Sequence, residues 1–348
     1  MSHTLQNHIF SPYPTIIEKL VKWYDQNHEI FLWRESHDPF RIWISEVMLQ
    51  QTTIATVIPY YERFLKRFQT LQTLAESEID EVLTYWQGLG YYRRAHMLHK
   101  GAKYMLDTHE GLFPRNYKDL LKVPGIGKYT AKAILSIAFH EPFVPVDGNV
   151  IRVFSRLFGK KEAFENLEKS LHPEINDFEE NLNGQKTDYF AQSLMDLGRE
   201  ICKPRNPKCE ICPISGHCAA FSQDLTAVIP SPKKREKVPT KYAHCSIFEK
   251  EGGIFLIKNT KKGLFEGMWS LPMSEILEKK ENNEESTHLG TIFHTFTHFK
   301  LVLEVHFGNK APENCVFVKI SELDYYALPT LMKKALKLFH VHNLQRAA

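Results

Sequence analysis

The stretch from Leu121 to Leu157 constrains this chain more than any other. It opens with Val123-Pro124-Gly125-Ile126-Gly127-Lys128-Tyr129-Thr130-Ala131, in which Pro124 and two glycines mark a tight turn. Ala131, Ile134, Leu135 and Ala138 follow at helical spacing, and Tyr117 to Val123 reads as a short helix before the turn. Two short helices around the Gly125-x-Gly127 hairpin leave backbone N–H groups pointing outward at a helix start, which suits a phosphate. Further on, Val146-Asp147-Gly148-Asn149-Val150 opens another amphipathic helix, with Val150, Val153, Phe154 and Leu157 inward. An aspartate there is expected to stay ionised, because the helix dipole favours negative charge. Taken singly, the hairpin also fits a plain loop and Asp147 a plain N-cap.

At 348 residues two domains are more comfortable than one. With 24% charged and 43% hydrophobic residues the chain is expected to be globular and soluble. A net charge of +3 is not a histone-like balance, so any nucleic-acid surface must be local. Met1 to Pro14 lacks a basic n-region and an apolar core, so it does not read as a signal peptide. No run reaches the roughly 18 apolar residues of a membrane helix. Four of the six cysteines fall within 17 positions, which argues for metal rather than a disulfide framework.

In chain order, Tyr13 to His28 reads as a helix, and Arg41 to Phe68 as one longer helix with Ile44, Val47, Met48, Ile54, Ala55 and Ile58 inward. On it Glu46, Gln50 and Thr53 would share another face. Glu46 adjoins Val47 and Trp43, so partial desolvation would raise its pKa, as a general acid needs. Further helices are expected over Leu71 to Tyr85, Ala95 to Thr108 and Asp188 to Glu200. Cys202, Cys209, Cys212 and Cys218 follow with spacing C-x6-C-x2-C-x5-C. Four thiolates close either a zinc site or an iron–sulfur cubane; zinc ribbons usually show two tight pairs, and here only one is tight. Lys203-Pro204-Arg205-Asn206-Pro207-Lys208 reads as a basic finger for phosphates. Cys245 and Cys315 read as core thiols.

Ser222 to Lys241, with Lys233-Lys234-Arg235, reads as a linker, giving a division into 1–221, 222–241 and 242–348. Beyond it the apolar period changes to two. Ala243 to Phe248 and Ile254 to Ile257 are expected to form a hairpin around Glu251-Gly252-Gly253. Phe299, Leu301, Leu303, Val305 and Phe307 alternate along a strand, Cys315 to Ile320 reads as another, and Leu331 to Phe339 as a closing helix. His294 to Phe299 would be the turn that leads into the long strand.

The hairpin, second helix and Asp-Gly-Asn together resemble the helix-hairpin-helix/Gly-Pro-Asp superfamily of DNA base-excision glycosylases. The Gly-Pro part here reads Glu141-Pro142 to Pro145, a small departure. Ser45-Glu46-Val47-Met48-Leu49-Gln50-Gln51-Thr52, Leu32-Trp33-Arg34 and Gly88-Leu89-Gly90-Tyr91-Tyr92-Arg93-Arg94 look like the corresponding stretches of MutY-type adenine DNA glycosylases. The resemblance covers nearly the full chain and is strongest from Leu32 to Cys218. It implies an all-α catalytic domain with an iron–sulfur loop, followed by an α+β Nudix-like domain.

By the same resemblance Glu46 is the catalytic acid, Asp147 stabilises or traps the sugar cation, and Tyr129 helps position the sugar. Trp33, Arg34 and Gln192 face the adenine pocket, and Gln51 and Tyr91 wedge into the duplex. The four cysteines hold a [4Fe–4S] cluster. Relatives that also cleave the strand carry a lysine where this chain has Tyr129. Lys128 is one residue early, a step of about 100° around a helix, and tyrosine cannot form an imine, so base removal without efficient strand cleavage is expected. Gly263 to Pro272 is similar to the Nudix-like domain of MutY. Only Glu284-Glu285 of a Nudix hydrolase box appears, so that domain is expected to bind rather than cleave. Phe296-Thr297-His298 stands where MutY-type proteins carry a Phe-Ser-His loop that reads 8-oxoguanine. The implied partner is double-stranded DNA with adenine opposite 8-oxoguanine or guanine, met by a monomeric, cytoplasmic protein with no membrane contact. An endonuclease III-like glycosylase/lyase and a non-catalytic iron–sulfur lesion-binding protein are the alternatives.

Overall fold

In a computed structural model of the protein, residues 11–182, 184, 186–231, 238–280 and 287–347 are described. The start of the chain, Lys233-Lys234-Arg235 and Glu284-Glu285 lie outside the described residues. The helices are α1 (Tyr13–Asn27), α2 (Pro39–Leu49), α3 (Ile54–Arg67), α4 (Leu71–Glu76), α5 (Ile79–Trp86), α6 (Arg93–His109) and α7 (Tyr117–Leu120). They continue with α8 (Lys128–Phe139), α9 (Gly148–Leu157), α10 (Phe164–Ser170), α11 (His172–Asn181), α12 (Thr187–Asp196), α13 (Ala219–Ser222) and α14 (Thr330–Ala347).

Three expected helices are broken, and the one drawn from Leu71 to Tyr85 is α4 and α5, parted where Ser77 and Glu78 take extended backbone. The one drawn from Arg41 to Phe68 is α2 and α3, because Gln51 takes φ 57°, a left-handed conformation that ends α2. Glu46, Gln50 and Thr53 therefore do not share a helix face. The helix drawn from Asp188 to Glu200 is α12 followed by a π turn, Leu197–Ile201, which hands the chain to Cys202.

The chain packs into two units that interleave in sequence: Met1–Gln50 with Asp107–Lys234, and Gln51–Leu106 with Arg235–Ala348. In the first, α12 packs against α1, α8 and α9, and α8 also packs against α2. Its core joins Ile16 and Leu20 of α1, Val150, Val153 and Phe154 of α9, Phe178 of α11 and Phe190 and Leu194 of α12. Phe154 and Phe178 stack with centroids 5.0 Å apart.

In the second unit β1 (Thr240–Ile247) lies beside β6 (Lys300–Phe307) in parallel, with β5 (Thr287–Thr295) antiparallel on the other side of β6. A second sheet holds β2 (Glu249–Lys250), β3 (Gly253–Lys258) and β4 (Trp269–Ser270), with β7 (Val316–Lys319) on β3. The alternation read from sequence holds in β6, where Leu301, Leu303 and Val305 are buried. The expected hairpin of Ala243–Phe248 with Ile254–Ile257 does not form. One edge of β1 is taken by β6 and the other by the segment carrying Met273 and Leu277, so only the two residues of β2 fold back on β3. Residues 51–106 belong to this unit through specific ties: His96 Nε2 lies 2.7 Å from the Glu266 carbonyl, and the Gln87 amide donates to the carbonyls of Tyr326 and Leu328.

Candidate active site

Asp38 caps α2 by accepting from Phe40 N, and Pro39 fits the first turn, where its missing N–H costs nothing. Phe40, Ile42, Trp43, Ile44, Val47 and Met48 of α2 are all buried, and Glu46 is buried among them at 7% exposure. A carboxyl in that setting must be paired or neutral. Its environment raises its pKa from 4.5 to about 7, chiefly by desolvation, with Asp147 adding to the rise. A hydrogen bond from Tyr129 and the charge of Arg34 oppose it.

Two helix starts deliver Glu46's neighbours. Gly125, at φ 85°, turns the chain after the buried Val123, and the extended Gly127 caps α8. Tyr129 then falls in the first turn of α8, its phenol raised well above the usual value by burial and by Glu46. Lys128, one step earlier, is exposed. Thr130 is buried and takes the Gln50 amide at 3.4 Å. At the start of α9, Asp147 Oδ1 accepts from Asn149 N at 2.9 Å and Val150 N at 2.8 Å, and Oδ2 accepts from the Asn149 amide at 2.9 Å. Both lone-pair faces are thereby oriented, and the carboxylate sits where the helix dipole is positive.

Trp33 is buried and stacks on Phe31 at 5.0 Å. Arg34 forks onto Asp196 with distances of 2.6 and 2.7 Å, lies 5.1 Å from the Phe31 ring centre, and still acts on Glu46 by its charge. Gln192 is buried on α12, its amide donating to the Asp188 carbonyl. Asp196 and Met195, which meets the Tyr129 hydroxyl at 3.7 Å, were not singled out from sequence. A sequence signal able to find them is their short spacing from Gln192 along α12. A cleft of about 460 Å³ runs beside Tyr129 and Val146, lined also by Lys128, Lys132 and Glu168; Glu46 is not among its lining residues.

In the second unit Gln51 and Tyr91 both take positive φ, 57° and 48°. Arg94 ties their loops together: its guanidinium bonds Thr52 Oγ1 and the Gly90 carbonyl, each at 3.2 Å, and lies 5.3 Å from the Tyr91 ring centre. Phe296, Thr297 and His298 form the turn between β5 and β6, closed by Phe296 N to the Phe299 carbonyl at 2.8 Å. Phe296 is half-buried against His294 and Phe299, while Thr297 and His298 are exposed.

Cys202, Cys209, Cys212 and Cys218 are free thiols. Burial, and the charge each would impose on the others, push Cys209 and Cys218 up and Cys212 to about 12. Three thiols that resist ionising alone, each facing the charge of Cys202, are a donor set a metal relieves, because binding deprotonates such ligands. Arg156 donates to Cys202 Sγ at 3.4 Å, to the Lys203 carbonyl at 2.7 Å and to the Pro204 carbonyl at 3.1 Å. A guanidinium bonded to a sulfur and to the backbone beside it fits an anionic thiolate cluster. Cys202, Cys212 and Cys218 pack against the core of the first unit, and the finger carrying Arg205 and Lys208 is exposed.

These features define a helix-hairpin-helix repair protein with an iron–sulfur loop. Residues 44–174 match the HhH-GPD superfamily of base excision DNA repair proteins, 202–218 the iron–sulfur binding domain of endonuclease III, and 243–338 the NUDIX domain. The chain is 33% identical over 293 residues to the adenine DNA glycosylase of Buchnera aphidicola from Schizaphis graminum, covering 81% of this chain and 84% of that one. It is 29% identical over 418 residues to the Mus musculus adenine DNA glycosylase, covering 97% and 80%. A thermostable thymine-DNA glycosylase aligns in structure with a TM-score of 0.55 at 30% identity, covering 60% of this chain and 96% of that one. The chain belongs to the adenine DNA glycosylase family.

Proposed function

We propose that this chain removes adenine from double-stranded DNA where it is mispaired with 8-oxoguanine or guanine, and leaves the strand uncut. It is a DNA N-glycosylase of base excision repair, specific for adenine and equipped with a [4Fe–4S] loop. One observation carries the mechanism: Glu46 is buried with its carboxyl raised to about 7, beside Tyr129 and Asp147. A carboxyl that holds its proton near neutral pH is a competent acid, and the second carboxylate, held by backbone N–H groups, is a competent counter-charge.

Adenine cannot react inside the stack, so it must be flipped out at a cost of a few kcal/mol. Gln51 and Tyr91 fill the gap in the duplex, and the hairpin of Gly125 and Gly127 holds a phosphate at the start of α8. Trp33, Arg34 and Gln192 line the adenine pocket. Glu46 delivers its proton to adenine N7, the C1′–N9 bond breaks with its electron pair leaving on the base, and the sugar becomes oxocarbenium-like. Asp147 stabilises or traps that cation while Tyr129 positions the sugar. Water then adds at C1′ and returns a proton to Glu46. The scheme parallels a retaining glycosidase.

Phe296, Thr297 and His298 read the opposite base. Cys202, Cys209, Cys212 and Cys218 hold the cluster, which supplies a rigid tie for the basic finger and no acid or base. Along the sequence, the division into 1–221, 222–241 and 242–348 marks off a catalytic and a base-reading part, with residues 51–106 packed in the second unit, and the base-reading part binds without cleaving. A monomer acting in the cytoplasm, where bacterial DNA lies, completes the reading. A gel assay on an A:8-oxoguanine duplex tests it: cleavage only after alkali is expected. Cleavage without alkali would point to a lyase, and none in either case to a binding protein.

A further inference from the structure

The parallel register of β1 and β6 sets His244 directly against Glu304, and His306 follows two residues along β6 on the same face. The antiparallel register of β5 sets His288 against His306, with ring centres 5.3 Å apart. This face is opposite the one that buries Ala243, Cys245, Leu303 and Val305 in the core. His306 is buried at 3% exposure, and His244 and Glu304 are half-buried. Nothing in the glycosylase chemistry uses them.

Three ligand atoms converge here. His244 Nδ1 lies 3.3 Å from His306 Nε2 and 3.6 Å from Glu304 Oε2, and His306 Nε2 lies 3.9 Å from Glu304 Oε2. A tetrahedral zinc with bonds of about 2.0–2.1 Å has ligand–ligand edges of about 3.3–3.4 Å. The shortest edge matches that figure and the longest, at 3.9 Å, exceeds it by about half an ångström, a gap that side-chain rotations close. Glu304 Oε1 is held by the Lys280 ammonium at 2.7 Å, which orients Oε2 toward the two rings. One proton shared between the rings can satisfy one edge of this triangle, whereas one cation satisfies all three.

We propose that His244, Glu304 and His306 form a binding site for a divalent transition metal, suited above all to zinc, that clamps β1 to β6. Two imidazoles and a carboxylate are borderline-to-hard donors that select zinc over magnesium or calcium. The fourth position is left to water, beside the His288 ring. The site is independent of the base-excision reading. A second triangle, His37, His140 and Asp188, has both rings exposed and serves as an internal comparison.

The test is zinc uptake by the full-length protein with its iron content intact, followed by calorimetric titration of zinc chloride and elemental analysis after gel filtration. The wild type is expected to retain one zinc without losing iron and to melt at a higher temperature when loaded. His306→Gln and Glu304→Gln, which keep the strand's shape, are each expected to weaken zinc binding on the order of 100-fold. His37→Ala is expected to leave uptake unchanged. No retained zinc in the wild type would overturn the proposal, and would leave the triangle an ion-pair cluster only. Undiminished binding in both His306→Gln and Glu304→Gln, or loss in His37→Ala alone, would also overturn it.

Discussion

The Tyr91 hydroxyl lies 2.8 Å from Thr297 Oγ1, joining two loops 206 residues apart in sequence. A residue assigned to wedging into the duplex is thus bonded to the turn assigned to reading the base opposite adenine. With Arg94 bridging Thr52 and Gly90, the three loops form one connected surface within the second unit. Phe296→Ala with His298→Ala is expected to lower the preference for adenine opposite 8-oxoguanine over adenine opposite guanine. The loss corresponds to about 1–3 kcal/mol of discrimination, and the chemical step should be nearly unchanged. Excision of both substrates at sub-saturating enzyme measures it; an unchanged ratio would remove the loop from base reading.

Arg34 and Asp196 test how the pocket is held. Both side chains are shielded, at 10% and 3% exposure, and their pairing is bidentate. Asp196→Ala strands a guanidinium beside Tyr24 and Phe31, which costs about 3–5 kcal/mol when a buried pair loses one partner. Urea denaturation reads this directly. A loss below about 1 kcal/mol would mean that the pair behaves like a surface one.

What the sequence made legible follows from how local each signal is. The hairpin around Gly125, the cap at Asp147 and the alternation of β6 are set by neighbours a few residues away, and they stand as expected. The break at Gln51 was hidden because glutamine carries no turn signature, yet its backbone is left-handed here. Asp196, Arg156 and Arg94 were passed over for a related reason: each acts on a group far away in sequence or across a loop. The parallel pairing of β1 with β6 was likewise invisible, since period-two alternation fixes a strand's faces but not its neighbour.

The raised pKa of Glu46 has a stability consequence with a definite sign. Its folded-state value of about 7 exceeds its ordinary 4.5, so between those values the folded state binds more protons than the unfolded. Stability is therefore fullest below about 4.5 and is lost as pH rises through 7. Glu46→Gln removes that loss. The variant is expected to exceed the wild type by roughly 3 kcal/mol at pH 8, with the gap closing toward acid. Melting curves across this range check it, and a gap independent of pH would contradict the shift.

The cysteine loop has few buried apolar side chains of its own; Ile214 is the buried one between Cys209 and Cys218. Cys209→Ser is expected to lose iron and solubility together, since metal and fold are coupled in such loops. Elemental analysis of the wild type should give four irons and little zinc in the cysteine loop, apart from any zinc at the histidine site. One zinc and no iron would contradict a cluster.

The most direct test of the account is single-turnover excision by Glu46→Gln. The substitution keeps the shape of the side chain and removes the proton it would deliver. Duplex binding should persist while adenine release falls by on the order of 10²–10⁴ or more, the contribution of a positioned general acid. A rate within about tenfold of the wild type, with binding intact, would contradict Glu46 as the acid and with it the proposed mechanism.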